Sequence, residues 1–434
     1  MTRARHAAPT AGDPRSLYDL EPADLARLVS EAGEPAYRAR QLARQLDRRK
    51  VADPGAMTDL PAGFRGFLAE RFTGAGLELQ RHQVGDDGWT HKFLFALPGG
   101  DSVESVLMFY PPRRGPGNPE GVPRWIGRGP GNPEGVPRWI APSDDWEGGR
   151  QGRATLCIST QAGCAMGCAF CATGQFGFTR NLSAGEVVEQ VARVWTLLEE
   201  LRPSPAAPDH LTNVVFMGMG EPFANPSGTW GAAWRLHQGF GLSARAITIS
   251  TVGLVPGIDR AAREGLPVNL AVSIHAATDE LRDRLVPLNR TWPIAELLGS
   301  VRRYVAATRR RVSFEYALIR GVNDGADQAD ALGKLLAPLR VPGSGGHAAH
   351  VNLIPYNPTP SLGLDTPSRG TIHRFRDLVA AHGLAVSVRA NRGVGIDAAC
   401  GQLRTSAGRP GRTVELPLVG PAGGEMGSTT EAAG

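Results

Sequence analysis

Nowhere in these 434 residues is there an uncharged apolar run long enough to span a membrane, so a membrane protein is not expected. The opening residues, Met1 to Ser16, hold Arg3, Arg5 and Arg15 but no apolar stretch behind them, which argues against a secretory leader. Cysteine is scarce: five residues, an odd number, in a chain without an export signal do not make a disulfide framework. Lysine is nearly absent (Lys50, Lys92 and Lys334), so the net charge of +5 and the pI near 9.1 come from arginine. A basic balance suits a polyanionic partner, yet an arginine-rich, lysine-poor composition also follows from a GC-rich genome. These absences lead to the expectation of a soluble, cytoplasmic, monomeric protein.

What is present is apolar material, 41% of the chain, enough for one large core and a smaller domain. Residues 1–16 read as a loose tail. Residues 17–75 read as a small helical accessory domain, with apolar residues at helical spacing in 22-PADLARLVSEAG and 35-PAYRARQLARQLDRR. Residues 76–110 switch to short alternating runs such as 92-KFLFAL and 103-VESVLMFY, a β linker region. Residues 111–150 form a Pro/Gly-rich insertion. In it RGPGNPEGVPRWI occurs twice, at Arg114–Ile126 and Arg128–Ile140; a unit used only twice is no solenoid, and it reads as a duplicated surface loop.

From 151 to 405 the chain alternates strand and helix signals. Apolar strand candidates (154-ATLCIST, 213-NVVFMG, 246-AITIST, 268-VNLAVSIH, 312-VSFEYALI, 350-HVNLIPY) are separated by helices such as 183-SAGEVVEQVARVWTLLEEL and 293-PIAELLGSVRRYVAAT. Near-continuous apolar strands, each followed by a helix, imply an α/β fold with a parallel sheet covered on its outer face. About six such units suit a barrel or partial barrel, with its chemistry at the C-terminal strand ends. A further strand, 384-LAVSVRA, precedes the last cysteine. Residues 406–434 read as a disordered tail.

Four of the five cysteines fall within fifteen residues, and 164-CAMGCAFC follows the first barrel strand candidate. Cys164, Cys168 and Cys171 can converge on one inorganic cluster. Three thiolates on a [4Fe–4S] cube leave one iron open to chelate a small molecule. A zinc site completed by a histidine, or simply buried cysteines, would also use these residues. The segment 217-MGMGEP ends the second strand candidate, where Gly220 allows close backbone approach and Glu221 carries charge; an ordinary strand-to-helix turn would read the same way.

The C-x3-C-x2-C spacing resembles the signature of the radical S-adenosylmethionine (SAM) superfamily, and with it the fold becomes a radical SAM partial (β/α)6 barrel. Cys157, Cys400 in 396-IDAACGQL, 271-AVSIHAATDELRDRLVP, 352-NLIPYNP and 173-TGQFGFTRNL together are similar to the RlmN family. Those enzymes methylate adenine C2 in 23S ribosomal RNA and, beside the anticodon, in transfer RNA. The resemblance implies a [4Fe–4S] cluster on Cys164, Cys168 and Cys171, two SAM molecules per turnover and a flavodoxin-type electron donor. Adenine C2 is electron-poor and the SAM methyl is an electrophile, so simple methyl transfer fails. By resemblance, Cys400 takes the methyl group first, and hydrogen removal from it gives a carbon radical that adds to C2. After the C2 proton leaves, Cys157 attacks the Cys400 sulfur, a Cys157–Cys400 disulfide forms, the methylated base is released, and the enzyme must then be re-reduced.

Softer implications concern Glu104 as proton acceptor, and Gly220, Glu221, Ser250, Ser273, Ile274, His275 and Asn357 as SAM contacts. Glu104 could equally be a solvated strand carboxylate, His275 a structural histidine, and Cys157 and Cys400 buried thiols. Arg48–Arg49–Lys50, Arg302–Arg303 and Arg309–Arg310–Arg311 are candidate phosphate contacts, or solvated helix faces. The rival readings are a Cfr-like adenine-C8 methyltransferase, a glycyl-radical activase and a zinc-stapled RNA-binding protein.

Overall fold

The computed structural model describes residues 15–73, 76–111, 152–343, 346–358, 362–389, 393, 396–398 and 401–403. The duplicated repeat, Cys400 and the expected tail at 406–434 lie outside them.

A ten-stranded sheet organises the molecule. Its parallel part runs in chain order through β6 (Arg153–Cys157), β9 (Asn213–Phe216), β10 (Ile247–Thr251), β11 (Asn269–Ser273), β12 (Val312–Leu318), β13 (Ala349–Pro355) and β14 (Ala385–Val388). Helices follow the strands: α5 (Ala184–Leu201), α6 (Pro226–Gln238), α7 (Val255–Ala261), α8 (Asp279–Leu285) with α9 (Ile294–Thr308), α10 (Ala326–Leu336) and α11 (Arg369–Ala380). The first six strands and their helices are the expected partial (β/α)6 barrel, and β14 adds a seventh parallel strand. Burial explains their composition. On β12 only Ser313 is less than buried, as befits a strand covered on both faces. No helix among the described residues is long and apolar enough to cross a membrane.

Helix α5 shows how local sequence sets these elements. The Ser183 hydroxyl accepts from the Glu186 amide at 3.0 Å while the Ser183 amide donates to the Glu186 carboxylate at 2.9 Å, a reciprocal cap. Val187, Val191, Val194 and Leu198 then recur on one face and are fully buried. Arg202 turns extended just before Pro203, where a helix cannot comfortably continue.

The segment expected as a linker is part of the same sheet. Strands β3 (Glu78–Gly85), β4 (Thr90–Ala96) and β5 (Ser102–Tyr110) add antiparallel to β6, with Val106 opposite Cys157 and Lys92 opposite Val106. Nor does β4 alternate: six of its seven residues are buried, Lys92 among them.

The N-terminal helices α1 (Pro22–Glu31), α2 (Tyr37–Arg44) and α3 (Ala62–Ala69) share one hydrophobic core with the barrel. Order begins earlier than the expected tail boundary. Arg15–Ser16 (β1) pairs in parallel with Phe72–Thr73 (β2), and the buried Ser16 hydroxyl donates to Glu189 of α5 at 3.0 Å. The helical run expected to continue from α2 ends in a π turn, Gln45–Arg49, closed by Lys50 in the left-handed region (φ 58). Asp47 there pairs with Arg235 of α6 at 2.8 Å.

Candidate active site

Beyond β6 the chain makes a small hairpin, β7 (Gln161–Gly163) with β8 (Phe178–Asn181), and the three clustered cysteines lie between its arms. The hairpin closes because Gly163 (φ +76) can sit against Gly177; a Cβ there would lie 2.0 Å from the Gly177 oxygen. The Cys164 amide donates to that same oxygen at 2.8 Å. A turn from Cys168 to Cys171 (Cys171 N–H to Cys168 O, 3.1 Å) precedes the short helix α4 (Ala172–Phe176). The Ala169 amide ties this loop to Leu285 of α8 at 3.0 Å.

One loop thus brings three sulfurs to the mouth of the barrel, Cys168 buried and the other two half-buried. Burial raises the Cys164 and Cys168 thiols above their ordinary value, and the neighbouring cysteines raise them further. Three thiolates can coexist there only around a strongly cationic centre, so the donor set fits a metal group. Among the described residues, no three His, Cys, Asp or Glu side chains are arranged to hold a single metal ion. A cluster in which each thiolate takes a different iron does not need that convergence. No disulfide joins Cys157, Cys164, Cys168 and Cys171 to one another. The pairing of Cys157 with Cys400 falls outside the described residues.

The cysteines face a hollow, open to solvent, at the C-terminal strand ends. Gly220, Glu221, Ser250, Ser273, His275 and Asn357 line it with them. Ile274 does not: its side chain is fully buried in the core. Gly220 adopts φ +102, and a Cβ would stand 2.6 Å from that of Gln161, so only glycine fits. The buried Glu221 carboxylate is already engaged. It accepts from the Phe223 amide at 3.0 Å and the Val252 amide at 2.8 Å, joining the turn after β9 to the end of β10. Burial lifts its pKa to about 7 although those amides oppose the rise.

His275 departs from ordinary backbone, with φ +55 in a non-glycine residue. Its Nδ1 accepts from the Ala317 amide at 3.0 Å, and its ring meets Phe170 of the cysteine loop edge-on at 4.4 Å. Burial, helped by Arg282, brings its pKa down to about 3, so the imidazole stays neutral. Nδ1 is therefore the acceptor and Nε2 carries the proton.

Cys157 and Glu104 are not among the described residues that line the hollow. They sit side by side in the sheet: Val106, opposite Cys157, is two residues beyond Glu104, so both side chains share one face. Both are buried. Gly401, next to Cys400, lines the hollow; its carbonyl accepts from the Ala172 amide at 2.8 Å, and the Leu403 carbonyl accepts from Thr173 at 2.6 Å. The segment carrying the last cysteine is thus fastened to the cysteine loop.

Several of the expected phosphate contacts have partners within the chain. The Lys50 ammonium lies 4.1 Å from the centre of the Trp195 ring, Arg48 donates to the Gln238 carbonyl, and Arg49 is 3.6 Å from Asp59. Arg303 is paired with Asp259, and Arg310 donates to Asn269. Two buried cations escaped notice in the sequence. Arg282, 1% exposed, donates to the Ile274, Ser273 and Val252 carbonyls and to Asn289. It thereby binds the ends of β10 and β11 together beneath the hollow. Lys92 is the other. Nothing in DELRDRL or KFLFAL marks either as buried.

Residues 158–331 match the profile of the radical SAM superfamily. The chain is 45% identical over 414 residues to "Probable dual-specificity RNA methyltransferase RlmN" of Chloroflexus aurantiacus, covering 94% of this chain and 97% of that protein. The like-named protein of Acidothermus cellulolyticus is 45% identical over 421 residues, 96% of this chain and 92% of its own. Among solved structures, a radical SAM methyltransferase from Sphaerobacter thermophilus superposes with a TM-score of 0.74 at 44% identity, over 90% of this chain and 99% of that one. With its three cysteines at the barrel mouth and relatives matched nearly end to end, the chain belongs to the RlmN family of the radical SAM superfamily.

Proposed function

We propose that this protein is an RNA methyltransferase that places a methyl group on C2 of adenosine, in the peptidyl-transferase region of 23S ribosomal RNA and at the adenosine 3′ to the transfer-RNA anticodon. The observation that supports this most is the fastening of Gly401 and Leu403 to the loop of Cys164, Cys168 and Cys171, which keeps the Cys400 segment at the cysteine-lined hollow. Family membership implies a [4Fe–4S] cluster and SAM. Cys164, Cys168 and Cys171 would hold the cluster, which together with SAM supplies a carbon-centred radical by reductive cleavage of the sulfonium.

The chain's own residues do the rest. Gly220, the Glu221 turn, Ser250, Ser273, His275 and Asn357 offer backbone and neutral polar groups for the amino acid and nucleoside parts of SAM. Cys400 carries the methyl group as a thioether and Glu104 accepts the proton from C2. Cys157 then attacks the Cys400 sulfur, so that a Cys157–Cys400 disulfide forms as the sulfur–carbon bond breaks and the product leaves, and a cellular thiol reductant reopens that disulfide. C2 is unreachable in a stacked helix, so the target nucleotide must be unstacked to enter the hollow.

Nucleoside mass spectrometry tests the assignment. RNA from a strain lacking its own C2 methyltransferase, made to produce this protein, should gain 2-methyladenosine in both the 23S and transfer-RNA fractions. 8-Methyladenosine in its place would assign the chemistry to C8, and no methyladenosine would refute the reading.

A further inference from the structure

The antiparallel extension of the sheet carries one of the chain's three lysines into the interior. Lys92 and Glu104 are 6% and 3% exposed, with Nζ 3.3 Å from the Glu104 carboxylate. The same ammonium donates to the Asp397 carbonyl at 3.2 Å, three residues before Cys400. Lys92, Val106 and Cys157 lie in one cross-strand row over β4, β5 and β6. Lys92 therefore touches Glu104 and the approach to Cys400, in the row of Cys157.

Neighbouring contacts run the same way. The Gly393 amide donates to Asp86 at 2.9 Å, as does the Thr90 hydroxyl at 2.6 Å. Ile396 is packed so closely on Gly85 that a Cβ there would meet it at 3.2 Å. Asp397 adopts φ +50, which turns the backbone beside the ammonium. The Ser159 hydroxyl, just beyond Cys157, donates to the Glu104 carbonyl at 2.6 Å. A buried ion pair is an inefficient way to hold strands together, since an apolar pair of similar volume is often at least as stable. The second contact of the ammonium, to Asp397, gives this one a purpose.

We propose that Lys92 is a positioning residue for the methyl transfer: its ammonium holds the Glu104 carboxylate and the Asp397 turn, three residues before Cys400 in the chain, in fixed relation beside Cys157. The inference rests on the roles given above to Glu104 and Cys400. Without the cation, Glu104 loses the group that orients its carboxylate, while methyl loading of Cys400, which does not use Glu104, continues.

The test compares K92M, K92R, E104Q and the K92M/E104Q double variant of the full chain, reconstituted anaerobically and supplied with SAM, a reductant and a transfer-RNA transcript. Peptide mass spectrometry reads S-methylation at Cys400, and nucleoside analysis reads product. K92M should load Cys400 to the parental level yet form methyladenosine about 100-fold more slowly. K92R should recover at least about a tenth of the parental rate, and the double variant should be no slower than E104Q, because both substitutions remove one function. K92M within about threefold of the parent while E104Q is slow would overturn the inference alone. Effects of K92M and E104Q that multiply, or failure of K92M to load Cys400 where E104Q loads it, would do the same. E104Q at the parental rate would overturn the role of Glu104 and this inference with it. Should K92M lose its cooperative thermal transition, the double variant, which removes both charges, decides the matter by the same comparison with E104Q.

Discussion

Alanine at Cys400 will stop methylation of RNA altogether, at least about a thousandfold below the parent, and will remove the S-methyl group from the protein. Alanine at Cys157 will stop turnover as severely but with the opposite signature: Cys400 keeps its methyl, and RNA accumulates attached to the protein through it. The difference follows from place. Cys157 ends β6 in a fully formed strand row, whereas Gly401 and Leu403 are bonded to α4, next to the loop of Cys164, Cys168 and Cys171, and Gln402 donates to the Pro358 carbonyl beyond β13. Neither substitution should disturb the fold. Cys157 is a small buried side chain, and its truncation should cost about 1 kcal/mol. Denaturing gels for the RNA adduct and mass spectra of the Cys400 peptide separate the two variants. Full turnover by either would end the proposed division of labour.

The second large effect is on stability. Arg282→Met should destabilise the protein by about 3–5 kcal/mol, seen as a fall in the denaturant midpoint. Arg282 is 1% exposed and its guanidinium spans three carbonyls, at 3.0 Å to Ile274, 2.6 Å to Val252 and 3.2 Å to Ser273, besides Asn289 at 2.8 Å. Asn289 in turn donates to Asp279 and Asp283, closing a polar network under the strand ends. Removing the cation leaves those carbonyls without their donor in a site with little room for water. Arg282→Lys should recover only part of the loss, because a single ammonium cannot reach several divergent acceptors as a planar guanidinium does. A fall below about 1 kcal/mol for Arg282→Met would show that the network is dispensable.

Much of this fold could be read from local pattern. The barrel strands stand where continuous apolar runs predicted them, with ends that differ by at most three residues, because both faces of a parallel sheet are covered and the run itself is the signal. Helix α5 begins at its Ser–Glu cap for an equally local reason. Non-local pairing was harder to see. That β5 joins β6 across the duplicated segment depends on contacts that neither strand advertises, and Lys92 in KFLFAL reads as the solvent side of an alternating strand.

The same limit held at the site. Spacing brought Cys164, Cys168 and Cys171 together on paper, and the loop between β7 and β8 brings them together in space. Gly220 was legible as a close approach, since no side chain fits there. Arg282 sits among Asp279, Glu280 and Asp283, a composition that suggests a solvated helix, and only tertiary packing buries it. The arginine runs show the limit from the other side. Charge in a sequence does not say whether a carboxylate, a carbonyl or an aromatic ring of the same chain lies within reach, as they do for Arg303, Arg48 and Lys50.

The chemistry of the site depends first on what Cys164, Cys168 and Cys171 hold. Iron, acid-labile sulfide and zinc should be measured on the full-length protein purified without oxygen. About four irons and four sulfides per chain, falling away in Cys168→Ala, is the predicted result. One zinc per chain with neither iron nor sulfide would contradict it.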